Sequence, residues 1–164
     1  DWGAHGIMVP HVNSADEAKR IVEATLYSPQ GTRGFSRTVR ANDYGLCPIE
    51  KVAAPLVMAQ IETIEGVNCA SEIAKVANID VLFIGPSDLK HDLAHRMDIA
   101  PVDFEHCVAK VIEAAKAAGK DTGILVRDPE EVERFRDLGI QYIAIDSDLA
   151  ILRKSYLQAT GRNR

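Results

Sequence analysis

The sequence predicts an α/β domain built from consecutive β–α units with parallel strands, and three observations carry that reading. Short apolar runs alternate with stretches whose apolar positions recur at helical spacing. The runs, such as Val81-Leu82-Phe83, are continuous instead of alternating, as in parallel strands covered on both faces. Glycine and proline mark the junctions, notably Gly85-Pro86, Gly119 and Gly139.

Taken in order, Gly6–Pro10 (GIMVP) is strand-like. Asn13-Ser14 opens a helix to about Tyr27: Ser14 and Glu17 have capping-box spacing, and Ala18, Ile21, Val22 and Thr25 share one face. Ser28–Leu46 is a loop region rich in glycine and arginine. Strand Leu56–Glu62, a helix near Val67–Ala77 and strand Val81–Ile84 follow. His91–Ala100 reads as a polar loop; Pro101 suits a first helical position, and its helix runs to Ala118, stopped by Gly119. Strand Gly123–Val126 leads into helix Pro129–Leu138, closed by Gly139. Strand Tyr142–Ile145 then leads to a last helix, Asp148–Thr160, and a basic tail.

Two architectures accommodate five such units: an open doubly wound sheet, or part of a (β/α)₈ barrel. No GxGxxG or Walker-A pattern supports a nucleotide-binding open sheet. A full barrel takes ~250 residues, or ~31 per unit. The 164 residues therefore match about five units, a barrel without its first three.

Bulk properties narrow the function. A net charge of −5 and a pI near 5.5 disfavour nucleic acid or an anionic membrane as partner, since both require a basic face. No apolar run approaches the ~20 residues of a membrane span, and no signal-peptide pattern opens the chain. Cys47, Cys69 and Cys107 are widely spaced without a CxxC pair, which suggests reduced thiols in an intracellular, cytoplasmic protein.

In either architecture ligands bind at the carboxyl ends of the strands. Glu62 and Asp88 stand there on consecutive strands ~4.8 Å apart, so both carboxylates can reach one ion. Two carboxylates without nitrogen or sulfur ligands suit Mg²⁺ or Mn²⁺; the alternative is a helix-capping Asp and a solvated loop Glu. Gln60 points to the same side as Glu62 and is either a hydrogen-bond donor to a substrate carboxylate or enolate, or a satisfied interior amide. The Ser87 and Asp88 amides, beyond Pro86, can form an anion-binding nest. Arg33 either meets an anionic substrate or is a solvated loop residue. Arg127 either binds an acidic acceptor or pairs with Asp128 or Glu130.

Of the histidines, His11 follows a strand end and can line the site, whereas His5 begins that strand at the opposite edge. His91 and His95 have i,i+4 spacing but no HExxH, and His106 falls in an amphipathic helix as a packing residue. No group near the cysteines signals an activated thiol.

Four stretches, GAHGIMVPHVNSADEAKRIVEATLYSPQGTRGF (Gly3–Phe35), AQIET (Ala59–Thr63), IDVLFIGPSDL (Ile79–Leu89) and AAGK (Ala117–Lys120), together resemble the HpcH/HpaI aldolase family. These class II pyruvate aldolases include 2-keto-3-deoxyglucarate and 4-hydroxy-2-oxoheptanedioate aldolases, with macrophomate synthase as a relative. The resemblance implies a (β/α)₈ barrel of the phosphoenolpyruvate/pyruvate type, a single domain of which residues 1–164 supply strands four to eight. It implies Glu62 and Asp88 as ligands of Mg²⁺ or Mn²⁺, and Gln60, Ser87, Asp88 and Arg33 as groups at the substrate. It further implies cleavage or formation of a C–C bond in a 4-hydroxy-2-oxo acid, with pyruvate and an aldehyde as partners, and a homo-oligomer. The family's catalytic histidine and substrate arginine belong to the barrel's first third, outside this sequence. Other readings are a citramalyl- or malyl-CoA lyase-like or macrophomate-synthase-like enzyme, and a non-catalytic paralogue acting as binding or assembly partner.

Overall fold

Five parallel strands, β1 (Gly6–Val9), β2 (Leu56–Ile61), β3 (Val81–Ile84), β4 (Asp121–Val126) and β5 (Tyr142–Ile145), form one sheet in chain order. The structure, a computed structural model, describes residues 1–48, 54–96 and 102–161. Between and after the strands come α1 (Ala15–Thr25), α2 (Ile64–Asn68), α3 (Ala70–Ala74), α4 (Pro86–His95), α5 (Phe104–Ala117), α6 (Glu131–Asp137) and α7 (Asp148–Ala159). Strand order decides between the two architectures. A doubly wound sheet reverses its order at a switch point; this one never reverses. Right-handed crossovers that always step the same way put every helix on one face, and the product is a partial (β/α) barrel.

Side-chain alternation separates the two faces of the sheet. Val57, Ala59, Ile61, Leu82, Ile84, Ile124 and Val126 pack outward into one core with Ala18, Ile73, Leu89 and Val111 of the helices. On the inner face, Gln60, Phe83, Gly123 and Tyr142 pair in sequence across four strands and form one layer. Glycine is required in that layer. A Cβ on Gly123 would overlap the Phe83 ring and approach the Tyr142 Cβ to 3.2 Å.

Burial on both faces holds fully for β3, whose four residues are all buried. At the outer strands it fails: Ile7 and Met8 of β1, and Tyr142 and Ile145 of β5, are exposed. Each of these strands has a neighbour on one side only. α7 buries none of its residues, and Leu149, Leu152 and Tyr156 are exposed along it.

Most helix ends follow their sequence signals. Ser14 Oγ accepts the Glu17 N–H at 3.2 Å, while Glu17 Oε2 accepts the N–H of Asn13, one residue before the cap, at 2.7 Å. Gly119 ends α5 with φ +66°, and Gly139 ends α6 with φ +88°.

Three expectations are corrected. The helix placed at Val67–Ala77 begins earlier, at Ile64, with Thr63 as cap, and breaks at Cys69 into α2 and α3. His91–Ala100 is not all loop: α4 runs to His95, with Gly85 at its cap and Pro86 in its first turn. Only Leu89, and in part Leu93, meet the core, so α4 carries too narrow an apolar stripe to register as periodic. His106 is exposed on α5, not packed. Pro101, the expected helix start, lies outside the described residues; α5 begins at Phe104, after Asp103. Among the described residues no helix is long and apolar enough to cross a membrane.

Gly123→Ala is expected to lower stability by about 1–3 kcal/mol through overpacking against Phe83. Gly34→Ala, where a Cβ meets nothing within 4 Å, should change it by less than about 0.5 kcal/mol. Urea unfolding midpoints of the two variants check the contrast.

Candidate active site

The inner side of β2 leaves the sheet carrying an acid. Glu62 follows Ile61 and shares the alternation of Gln60, and its side chain is only 3% exposed. Its Oε2 accepts from Gln60 Nε2 at 2.6 Å. Its Oε1 accepts the backbone N–H of His11 at 2.9 Å, with His11 Nε2 3.7 Å away. His11 has φ +53°, a left-handed conformation that non-glycine residues adopt rarely. In that conformation its N–H and its ring both reach Glu62.

Gly85, on the next strand's edge, completes the cradle. A Cβ there would collide with Glu62 Oε2 and sit 2.8 Å from Gln60 Nε2. The same glycine caps α4, whose first turn carries Asp88. Both ordinary explanations for the two acids therefore fail: Glu62 is buried, not solvated, and the Asp88 side chain caps nothing. The Asp88 side chain is exposed and makes no hydrogen bond or ion pair among the described residues. The Ser87 and Asp88 amides occupy the first turn of α4, where no carbonyl of the same helix can accept them, and the helix dipole favours an anion. Gln60 is half-buried, with Oε1 and its other N–H uncommitted by the Glu62 bond.

No lysine or arginine lies within ion-pair reach of Glu62 among the described residues. An ionised carboxylate out of water calls for a cation or several donors, and here it has two N–H donors and one solvent-facing histidine. An oxygen-only pair, Glu62 with Asp88, fits a divalent ion that keeps other positions for water or substrate. Among the described residues no group of three or more His, Cys, Asp or Glu side chains converges as a metal site, at this edge or elsewhere, so the donor set here is the two carboxylates.

Arg33 is not brought to this edge. It ion-pairs with Asp1 at 3.4 Å, lies over the Tyr27 ring at 4.5 Å, and lines a recess of about 550 Å³ with His5 and Pro55. His5 and Pro55 precede β1 and β2, so this recess opens at the amino-terminal edge. His91 and His95 engage each other, with ring centroids 4.1 Å apart and His95 Nδ1 2.8 Å from the His91 carbonyl.

Arg127 pairs with neither Asp128 nor Glu130; it extends from β4 to within 3.4 Å of Ser87 Oγ. Beside it, sequence reasoning missed Asp146. This residue follows β5 as Glu62 follows β2, and that shared position was the signal available. Its side chain is 6% exposed, its φ is +53°, and Lys154 of α7 bonds its Oδ2 at 2.6 Å. The Lys154 hydrogen bond holds the Asp146 carboxyl below the usual carboxylate range. The Ser147 N–H and the Arg127 charge add to this, and burial opposes it.

Known proteins share this fold. The HpcH/HpaI aldolase/citrate lyase family model matches residues 1–155. The chain belongs to that family. It is 35% identical over 171 residues to a hydroxypyruvate/pyruvate aldolase of Delftia acidovorans, covering 100% of this chain and 62% of that protein. It is 32% identical over 158 residues to a 5-keto-4-deoxy-D-glucarate aldolase of Citrobacter koseri, covering 94% of this chain and 62% of the relative. An HpcH/HpaI aldolase/citrate lyase family protein from Burkholderia cenocepacia superposes with a TM-score of 0.87 at 32% identity, over 97% of this chain and 65% of the other. The chain thus spans between 62% and 65% of the length of these three proteins.

Because its folded pKa is depressed, Asp146 contributes stability above its unfolded value of about 3.9. That contribution is lost as pH falls through the lower folded value. Lys154→Met should move the Asp146 midpoint up towards the ordinary range, read by carbon NMR of the carboxyl across the acid limb.

Proposed function

We propose that the protein is a divalent-metal-dependent lyase that cleaves or forms a C–C bond in a 4-hydroxy-2-oxo acid through a pyruvate enolate. One observation carries the reading: among the described residues a buried Glu62 carboxylate has only neutral donors and a solvent-facing histidine around it, and Asp88, in the first turn of α4 after the next strand, is exposed and unpaired. The names of the aligned relatives, a hydroxypyruvate/pyruvate aldolase and a 5-keto-4-deoxy-D-glucarate aldolase, support the substrate class.

Glu62 and Asp88 would hold Mg²⁺ or Mn²⁺, which supplies Lewis acidity to the keto oxygen and stabilises negative charge developing there. The chain's own residues bind and orient. Gln60 and His11 fix the Glu62 carboxylate, and the free amide capacity of Gln60 faces the 2-oxo acid. The Ser87 and Asp88 N–H groups receive its carboxylate at the N-terminus of α4. In retro-aldol cleavage the 4-hydroxyl loses its proton, the bond between C3 and C4 breaks, and its electron pair passes to the enolate. An aldehyde leaves, and protonation at C3 gives pyruvate.

The missing barrel units belong to the whole protein in this reading and bring the proton-transferring histidine and the substrate arginine. They would also cover β1, now an open edge. Exposed Leu149, Leu152 and Tyr156 of α7 suit a homo-oligomer. The free cysteines suit the cytoplasm.

Mn²⁺ at one hundred times its dissociation constant should stabilise the parent by about 2.7 kcal/mol. Asp88→Asn should stay folded and lose that shift; equal thermal shifts in both proteins would remove the metal assignment. A screen of 4-hydroxy-2-oxo acids should detect pyruvate release from the completed barrel. Residues 1–164 alone should be slower by at least ~100-fold, because general acid–base assistance is lost.

A further inference from the structure

α4 ends in a histidine pair that the site at its other end does not use. His91 and His95 stand one turn apart, at the i,i+4 spacing that places two side chains on the same helix face. Both are exposed, and neither has a carboxylate partner among the described residues. Their ring centroids are 4.1 Å apart with the planes tilted by 35°, so the two imidazoles stand side by side at the surface. Two nitrogens bound to one zinc ion at ~2.1 Å each stand ~3.0–3.4 Å apart, a separation that rings this close can adopt by small side-chain rotations.

The hydrogen bonding of the pair sets its chemistry. His95 Nδ1 lies 2.8 Å from the His91 carbonyl oxygen, which can only accept, so Nδ1 carries the proton. In the neutral ring the lone pair is then on Nε2, free to bind a metal. Ligating histidines commonly anchor their other N–H on a backbone carbonyl, which fixes both tautomer and ring orientation. Position favours a cation as well: His95 belongs to the last turn of α4, at the negative end of the helix dipole. Asp88 stands three and seven residues before the two histidines, ~4.5 and ~10 Å along the axis. It does not converge with them on one site, so an ion on the pair is separate from one on Glu62 and Asp88. The donors differ too: imidazole nitrogen suits Zn²⁺, Cu²⁺ or Ni²⁺, whereas carboxylate oxygen suits Mg²⁺ or Mn²⁺.

We propose that His91 and His95 form a second metal site, which takes one nitrogen-preferring divalent transition ion such as Zn²⁺ and leaves its remaining positions to water. The inference goes beyond the 2-oxo-acid reading and does not rest on it. The bound ion cross-links the last turn of α4, a helix that meets the core only through Leu89 and part of Leu93.

The test uses the full-length protein with excess Mg²⁺ to occupy the carboxylate edge, in mildly alkaline buffer where protons compete little for imidazole. Zn²⁺ is titrated while nitrogen–proton correlation NMR follows the imidazole nitrogens. His91 and His95 should shift together and saturate with a single ion, while His5, His11 and His106 stay unmoved. His91→Asn and His95→Asn should each weaken binding by about tenfold or more, because the second ligand of a chelate acts at high effective concentration. Circular dichroism should show both variants folded, since the replaced rings are exposed. Asp88→Asn should retain the site; loss of binding there would move the ion to the Glu62 edge and overturn a separate site. Shifts at only one of the two histidines, unmoved signals, or equal affinity in the parent and both histidine variants would also overturn the proposal.

Discussion

Glu62 carries an ionisable carboxyl into a place that water barely reaches, and the carboxyl-terminal edge of the sheet is arranged around that constraint. One oxygen is held by the Gln60 amide and the other by a backbone N–H that points correctly only because His11 is left-handed. Gly85 lacks a side chain where any Cβ would meet the carboxylate. Three residues from three different segments thus have their identity or conformation set by one acid. Each arrangement carries a cost: a left-handed non-glycine residue costs of order 1–3 kcal/mol, and a desolvated carboxylate costs several more. Such costs persist where an edge is built to hold something.

The sheet explains why that edge is available at all. Strands added in one direction leave their helices outside and their inner faces turned towards one another. Gln60, Phe83, Gly123 and Tyr142 show how tightly that inner layer is filled, with a glycine making room for a ring. The side chains that follow the strands, Glu62, Asp88, Arg127 and Asp146, stand beyond this layer at the carboxyl edge of the sheet. Met8 on the inner side of β1 and the apolar stripe of α7 are left exposed in the same geometry.

Much of this was legible in the sequence, and the exceptions have physical causes. Val81–Ile84 and Tyr142–Ile145 have the boundaries that their apolar runs indicate, because turn residues flank both. Glu62 and Gln60 could be placed on one side of a strand because alternation is strict. α4 was half hidden: a helix touching the core through Leu89 and part of Leu93 looks polar to any periodicity argument. Arg33 stands at the substrate only by what the resemblance implies; in this chain its partners are Asp1 and Tyr27, at the amino-terminal edge. Asp146 shares the strand-end position of Glu62, but its partner Lys154, a turn and a half along the next helix, is brought to it only by the fold.

Two left-handed residues of the carboxyl edge, His11 and Asp146, share φ +53° and follow strands at opposite sides of the sheet. They solve one problem in opposite senses. A strand that simply ended would send its next side chain up and away from the mouth. Reversing the backbone there brings the group down onto the edge. At His11 the reversed group is an N–H donor, delivered to Glu62. At Asp146 it is an acceptor, delivered to Lys154, which in turn holds the Arg127 carbonyl. One end of the edge therefore presents a buried carboxyl held by neutral donors, and the other a carboxylate paired with Lys154 and acted on by the Arg127 charge.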